Sequence, residues 1–279
     1  MNFRSIDDLN KLIKLRLPYI PQVDAIIGIP RSGMIPASLI ALYLGKPLFT
    51  VDQFFQGSFL NFTTRLKKDK SYTEVNKVLV VDDSCNTGSC LNRVKDILSE
   101  RSNGIEILYS AVYVTEQASK MVDFYFEICP LPRVFEWNIM DHDILARSCV
   151  DMDGVLCVDP TPEQNDDGND YLEFIRTAKP LFTPQHKIKA IVTSRLEKYR
   201  KPTEQWLSDH KINYDTLYMM NYKTAEERRA ANRYAEYKAE IYENTKATLF
   251  IESEVWQAKS IHSKTFKPVY CLGNGAFYQ

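Results

Sequence analysis

Residues 78–90 read VLVVDDSCNTGSC. Four apolar residues run straight into two carboxylates, Asp82 and Asp83. Only small or polar residues follow: Ser84, Cys85, Asn86, Thr87, Gly88 and Ser89. A short β-branched apolar run bounded by turn residues reads as a buried strand, and the stretch SCLNRVKDIL after it reads as a helix. In an open α/β sheet such a junction lies at the carboxyl end of a strand, where ligands bind. Backbone N–H groups at a helix start attract anions, and small side chains let a phosphate approach them. Carboxylates repel a phosphate, but they suit vicinal hydroxyls or a divalent metal. A phosphorylated sugar satisfies both halves of the motif.

The rest of the chain repeats this alternation of strand-like and helix-like stretches, which predicts α/β architecture. Residues 5–15 form a first amphipathic helix, DAIIGI (24–29) a buried strand, and MIPASLIALYLG a helix stopped by Gly45. KVLVV, IEILYSAVYV and VDFYFEI are further strands. SCLNRVKDIL carries Leu91, Val94, Ile97 and Leu98 on one stripe. The pattern then restarts: SCVDMDGVL (148–156), KAIVTSR (189–195), ATLFIESE (247–254) and PVYCL are strands separated by helical stretches. The expected fold is two Rossmann-like domains, residues 1–145 and 146–279, each an open, mainly parallel sheet flanked by helices. The boundary falls near MDHDILAR, at residues 140–147. VFEWN closes the first domain, with Trp137 as core or as an acceptor platform, and Trp206 is core.

Composition narrows the partners. With 279 residues, 44% hydrophobic and 25% charged, the chain can bury a sizeable core. A net charge of −1 gives no long-range steering toward nucleic acid, and none is expected as a partner. The cluster RLKKDK at residues 65–70 is basic, and reads as a solvated face or an anion-clamping loop. Six cysteines without a CxxC pair read as reduced, mostly core thiols of a cytoplasmic protein, and the four histidines lack metal-ligand spacing. MNFRSIDDLN lacks the apolar segment of a signal peptide. No apolar run approaches the ~20 residues of a membrane span, so any membrane association would be peripheral.

VLVVDDSCNTGS resembles the ribose-phosphate signature of type I phosphoribosyltransferases. Upstream, IIGIPRSGMIPA (26–37) resembles their diphosphate loop, in the family's order and at its rough spacing. The resemblance covers residues 1–140 and implies 5-phosphoribosyl 1-diphosphate with Mg2+ as donor. It implies that Asp82 and Asp83 hold the ribose hydroxyls. Ser84, Cys85, Asn86, Thr87, Gly88 and Ser89 would cradle the 5-phosphate, and Arg31, Ser32 and Gly33 would contact the diphosphate. Residues 53–72 match the family's mobile loop in position, with Arg65, Lys67 and Lys68 closing over the leaving group. Purine-salvage members carry an acid just before the Thr-Gly. Asn86 stands there in this chain, and SAVYVTE offers no lysine for a purine carbonyl. Both departures argue against a purine acceptor.

CVDMDGVLCVD places Asp151 and Asp153 two residues apart after an apolar strand, with Gly154 allowing a tight turn. One carboxylate can attack phosphorus while the other serves as acid and then base. The pattern resembles motif one of the haloacid dehalogenase superfamily in its phosphatase form. By that resemblance Asp151 is the nucleophile and Asp153 the general acid/base. Thr193, Ser194 and Lys238 bind phosphate, and Glu252 binds Mg2+ together with Asp151 and the carbonyl of Asp153. Ser253 stands where many relatives have Asp, which puts the metal ligation in question, with Glu254 as a second acid. Only residues 158–189 separate the first motif from the strand of Thr193, short for a large cap domain.

A ribosyl-transfer site leaves a 5-phosphate on its product, and a phosphatase site removes phosphates. Their fusion resembles bifunctional enzymes that place ribofuranose on bacterial polysaccharides. The expected function is therefore transfer of 5-phosphoribosyl to a glycan or lipid-linked glycan hydroxyl, then removal of the 5-phosphate. Two other readings stand beside it: a nucleobase phosphoribosyltransferase with a nucleotidase of salvage metabolism, and a donor-sensing regulator with a phosphatase domain.

Overall fold

The computed structural model describes residues 1–56, 75–100, 104–164 and 167–279. The expected lid at 53–72, with Arg65, Lys67 and Lys68, lies from residue 57 onward outside the described residues. The chain forms two compact units, Asn2–Trp137 and Asn138–Gln279.

The first unit contains, in order, β1 (Asn2–Arg4), α1 (Ile6–Arg16), β2 (Ala25–Gly28), α2 (Met34–Leu44), β3 (Leu48–Thr50) and α3 (Val51–Gln56). It continues with β4 (Lys77–Cys85), α4 (Ser89–Ser99), β5 (Glu106–Val114), β6 (Phe124–Ile128) and β7 (Arg133–Phe135). Its main sheet has the order β3-β2-β4-β5-β6 and is parallel throughout. β1 and β7 form a separate parallel pair. A parallel sheet covered on both faces needs apolar residues on both sides of each strand, which is why β2 and β4 read as unbroken apolar runs. Ile27, Val78 and Val80 pack with Leu91, Val94 and Leu98 of α4. Ile26, Leu79 and Val81 pack on the other face with Leu9 and Ile13 of α1 and with Ala37 and Ile40 of α2. Burial stabilises such side chains by about 1.5–3 kcal/mol each.

The helix boundaries follow local chemistry. Ser5 and Asp8 form a capping box at the start of α1, each side chain accepting the other's backbone N–H. α2 ends at Gly45, which takes the left-handed conformation. Two expectations need correction. Ile97 is 39% exposed and lies outside the buried stripe of α4. And β4 does not stop at the two acids: its pairing with β5 continues to Cys85↔Val114, so Asp82, Asp83 and Ser84 are strand residues.

The second unit contains β8 (Ser148–Val150), α5 (Gly168–Thr177), β9 (Ile188–Leu196), α6 (Arg200–Asp209), β10 (Tyr214–Met220) and α7 (Ala225–Ala231). It ends with α8 (Tyr234–Asn244), β11 (Leu249–Glu252), α9 (Val255–Thr265), β12 (Val269–Cys271) and β13 (Ala276–Tyr278). The sheet order is β10-β9-β8-β11-β12-β13, parallel except for the antiparallel edge pair β12–β13. Cys149, Ala190, Val192 and Phe250 pack against Tyr242, Ala258 and Ile261 of α8 and α9. Trp206 of α6 is buried as expected, and its indole N–H donates to the carbonyl of Ala178 at 2.8 Å. None of the six cysteines is disulfide-bonded; five are buried and Cys90 is exposed. Among the described residues no helix is long and apolar enough to cross a membrane.

Candidate active sites

In the first unit the two quoted motifs meet at the carboxyl ends of β2 and β4. The turn Arg31-Ser32-Gly33 leads from β2 into α2, and Ile29 N–H donates to the carbonyl of Val81 across to β4 at 3.0 Å. Gly33 is a close-approach position. A Cβ there would lie 2.6 Å from the carbonyl oxygen of Ile29, and 2.9 Å from both the carbonyl of Val81 and Oδ1 of Asp82. Only glycine lets the turn settle on the acid. Asp82 and Asp83 are both buried. The backbone N–H of Asp83 donates to Oδ1 of Asp82 at 2.9 Å, and the indole N–H of Trp137 donates to Oδ2 of Asp83 at 2.8 Å. Burial, and then the Asp83 carboxylate beside it, push Asp82 up to about 8. Loss of water and a neighbouring carboxylate both favour the neutral form of Asp82.

Beyond the acids the chain opens into solvent. Asn86, Thr87 and Ser89 are exposed ahead of α4, and the hydroxyls of Thr87 and Ser89 lie 2.9 Å apart. The loop is braced from β5: Thr115 N–H donates to the carbonyl of Cys85 at 3.2 Å. Exposed hydroxyls and amides at a helix start offer an anion the donors it needs. Arg31 is exposed and Ser32 half-buried on the neighbouring turn.

In the second unit the acids sit on adjacent strands. Asp151 follows β8, held by donating its backbone N–H to the carbonyl of Ile251 at 2.9 Å. Glu252 ends β11. Lys238, on α8, reaches both: its ammonium donates to Oδ2 of Asp151 at 2.8 Å and to Oε2 of Glu252 at 2.7 Å, and all three side chains are buried. Burial opposes the Lys238 charge, but the two carboxylates outweigh it and hold the ammonium above its usual range. Asp151 is pushed well up by burial and by the charge of Glu252, against the pull of Lys238.

Asp153 is turned elsewhere. The guanidinium of Arg195 grips it, with Nη2 to Oδ1 at 2.6 Å and Nε to Oδ2 at 3.0 Å, and that side chain of Arg195 is 0% exposed. β9 runs on past Thr193 to Leu196, so Thr193 is a buried residue within the strand and not its end, and its hydroxyl accepts the N–H of Arg195 at 3.2 Å. The buried hydroxyl of Ser194 has no hydrogen-bond partner, and its carbonyl accepts from Nη1 of Arg228 at 2.6 Å. Gly154 lets the turn close: a Cβ there would lie 2.4 Å from the hydroxyl of Ser253, which donates to the carbonyl of Asp153 at 3.2 Å. Asp151, Asp153, Thr193, Ser194, Arg195 and Lys238 line one cavity. A buried carboxylate beside a lysine and hydroxyl donors can attack and hold a phosphoryl group.

The residues named for Mg2+ in this unit are hydrogen-bonded within the protein. Glu252 gives one oxygen to Lys238, and its other accepts the backbone N–H groups of Ser253 and Glu254 at 3.0 and 3.2 Å. Asp151 shares the same ammonium, and the carbonyl of Asp153 accepts the Ser253 hydroxyl at 3.2 Å. Among the described residues no three His, Cys, Asp or Glu side chains gather so as to hold a metal ion. The expected set, two side chains with one carbonyl, would have to draw on these three groups.

The comparisons agree with the first unit. The phosphoribosyl transferase domain family matches residues 5–139. That part of the chain is a phosphoribosyl transferase domain. No curated protein matches the chain. Among solved structures, the xanthine-guanine-hypoxanthine phosphoribosyltransferase of Helicobacter pylori is similar at 16% identity, with a TM-score of 0.37, over 50% of this chain and 92% of that one. A purine phosphoribosyltransferase from Pyrococcus horikoshii is similar at 20% identity and a TM-score of 0.34, over 49% of this chain and 92% of that one. The orotate phosphoribosyltransferase of Aeropyrum pernix is similar at 20% identity and a TM-score of 0.28, over 43% of this chain and 67% of that one.

Within the phosphoribosyl transferase domain, the structure brings together Gly33, Asp82 and Asp83, with the loop 84–89 following directly. In the second unit it brings together Asp151, Lys238 and Glu252, and separately Asp153 with Arg195. Sequence reasoning did not give Arg195 or Arg228 a role, and left the indole of Trp137 undecided. Arg195 had one readable signal, a guanidinium two residues beyond Thr193 on the same strand.

Proposed function

We propose that the chain is a bifunctional enzyme: a phosphoribosyltransferase followed by a phosphomonoester hydrolase. In the first reaction an acceptor hydroxyl attacks C1 of 5-phosphoribosyl 1-diphosphate. The bond to the diphosphate breaks with inversion, and the diphosphate leaves with the electron pair. Asp82 and Asp83 hold the ribose hydroxyls, residues 84–89 hold the 5-phosphate, and Arg31, Ser32 and Gly33 take the diphosphate, with Mg2+ accompanying the donor. Arg65, Lys67 and Lys68 would close over it. The observation that carries this half is the contact of Gly33 with Asp82, which sets the diphosphate turn against the ribose acids inside a matched domain.

The acceptor we propose is a glycan hydroxyl, giving a 5-phospho-β-ribofuranoside. Asn86, standing where purine-salvage enzymes carry an acid, supports it. In the second reaction Asp151 attacks the 5-phosphate, with Thr193, Ser194 and Lys238 on the phosphoryl oxygens. The bond from phosphorus to the ribose 5-oxygen breaks, and that oxygen leaves with a proton from Asp153. Water then attacks the aspartyl phosphate and releases phosphate. Asp153 serves as general acid/base. The bidentate grip of Arg195 fixes the direction in which Asp153 faces the phosphoryl group. The domain assignment we carry forward is residues 1–145 for the transferase and 146–279 for a haloacid dehalogenase-like phosphatase, in a cytoplasmic enzyme. Diphosphate release tests the first half. With 5-phosphoribosyl 1-diphosphate and Mg2+, glycan acceptors should release diphosphate and free nucleobases should not. Release with a nucleobase alone would assign the chain to salvage chemistry, and donor binding without release to sensing.

A further inference from the structure

The indole of Trp137 does two things at once. Its ring continues an aromatic column: it stacks on Phe135 at 4.9 Å between centroids and 7° between planes, and Phe135 stacks on Tyr113 at 5.1 Å and 26°. Its N–H donates to Oδ2 of Asp83 at 2.8 Å. A Trp N–H in a half-buried setting finds an acceptor wherever one is near. Here the acceptor is one of the two acids that face the expected sugar.

The column is anchored from both ends of the chain segment. Tyr113 lies on β5 and is fully buried, and Phe135 closes the β1–β7 pair. Glu136, between Phe135 and Trp137, accepts the backbone N–H of Ile6 at 2.7 Å, which ties the segment to the start of α1. The indole therefore cannot swing without breaking a stack, and its N–H direction is set by the fold. On the other side, Asp83 is linked to Asp82 through the backbone N–H bond of 2.9 Å, and Asp82 is capped by the close approach of Gly33. The acids sit between a fixed donor and a fixed turn.

A carboxylate can turn about its Cβ–Cγ bond, and an unanchored one offers its lone pairs in many directions. A sugar hydroxyl needs an acceptor oxygen held in a fixed direction. We infer that Trp137 is a positioning residue of the ribose site: its N–H occupies one oxygen of Asp83 and aims the other at the donor's hydroxyls. The inference rests on the phosphoribosyl reading of this domain.

The test uses the full chain and 5-phosphoribosyl 1-diphosphate. Trp137→Phe keeps an aromatic ring on Phe135 and removes the N–H together with part of the ring area. It should raise the KM for the donor about tenfold while kcat changes less than threefold, an effect of the size expected for one charge-assisted hydrogen bond. The thermal midpoint should stay near that of the wild type. In an Asp83→Ala background, which removes the acceptor, adding Trp137→Phe should have little further effect on KM, as coupled neighbours require. If Trp137→Phe binds donor as the wild type does, or if the two substitutions add fully, the positioning role is wrong and the transferase reading stands. If the wild type itself binds no donor, the phosphoribosyl reading falls and the inference with it.

Discussion

Asp82 and Asp83 are neighbours on one strand, both buried, and the folded chain accommodates them by keeping a proton. The sign of the consequence follows from the direction of the shift. Asp82 is raised from the ordinary carboxylate range to about 8, by burial first and by Asp83 second. The folded state thus binds a proton that the unfolded chain has released. Its contribution to stability is fully present below about pH 4 and lost as the pH rises toward 8. Asp82→Asn should flatten that fall: the variant should gain thermal midpoint relative to the wild type at pH 8 and not at pH 4. Midpoints across that window check it, and parallel curves would show that Asp82 does not hold the proton. Lys238 presents the opposite case. Its one ammonium donates to two buried carboxylates. Removing one partner of a buried ion cluster strands charge and costs about 3–5 kcal/mol. Lys238→Met should lower urea-unfolding stability by that amount, and adding Glu252→Gln should recover part of it. A loss below about 1 kcal/mol would mean the cluster is solvated.

At the scale of elements, the buried parallel strands were readable because both their faces are covered, so β2, β4, β9 and β11 appear as apolar runs. The strands that went unread fail that condition. β10 lies at a sheet edge with Asp215 and Thr216 exposed, β13 is the antiparallel edge, and β1, β3 and β7 have three residues each. The acids at strand ends were readable because polar residues after an apolar run have few structural uses. Their partners were not: Arg195 sits inside a buried strand, and Trp137 reads as core until its N–H is seen on Asp83. Pairings made across many residues leave no local pattern. Gly33 was readable as part of a turn, but its reason is the strand beyond it. Gly33→Ala would push a Cβ against two backbone carbonyls that cannot yield. Overpacking of this kind costs about 1–3 kcal/mol. The variant should unfold earlier in urea by that amount and lose donor affinity, and an unchanged midpoint would show that the turn can shift away from Asp82.

For the whole molecule, the proposed function puts two chemistries in one chain and one order between them. Each unit has its own mainly parallel sheet and its own buried acids on or just after its strands. Asp82→Asn with Asp83→Asn should therefore abolish ribosyl transfer and leave hydrolysis of a small phosphate ester intact. The order is tested most directly by the mass of the product from Asp151→Asn. Asparagine keeps the shape of the side chain but is a poor nucleophile, so no aspartyl phosphate forms. The account predicts a ribosylated acceptor heavier than the wild-type product by one phosphoryl group, converted to the wild-type product by an unrelated phosphatase. A dephosphorylated product formed by Asp151→Asn at the wild-type rate would contradict it.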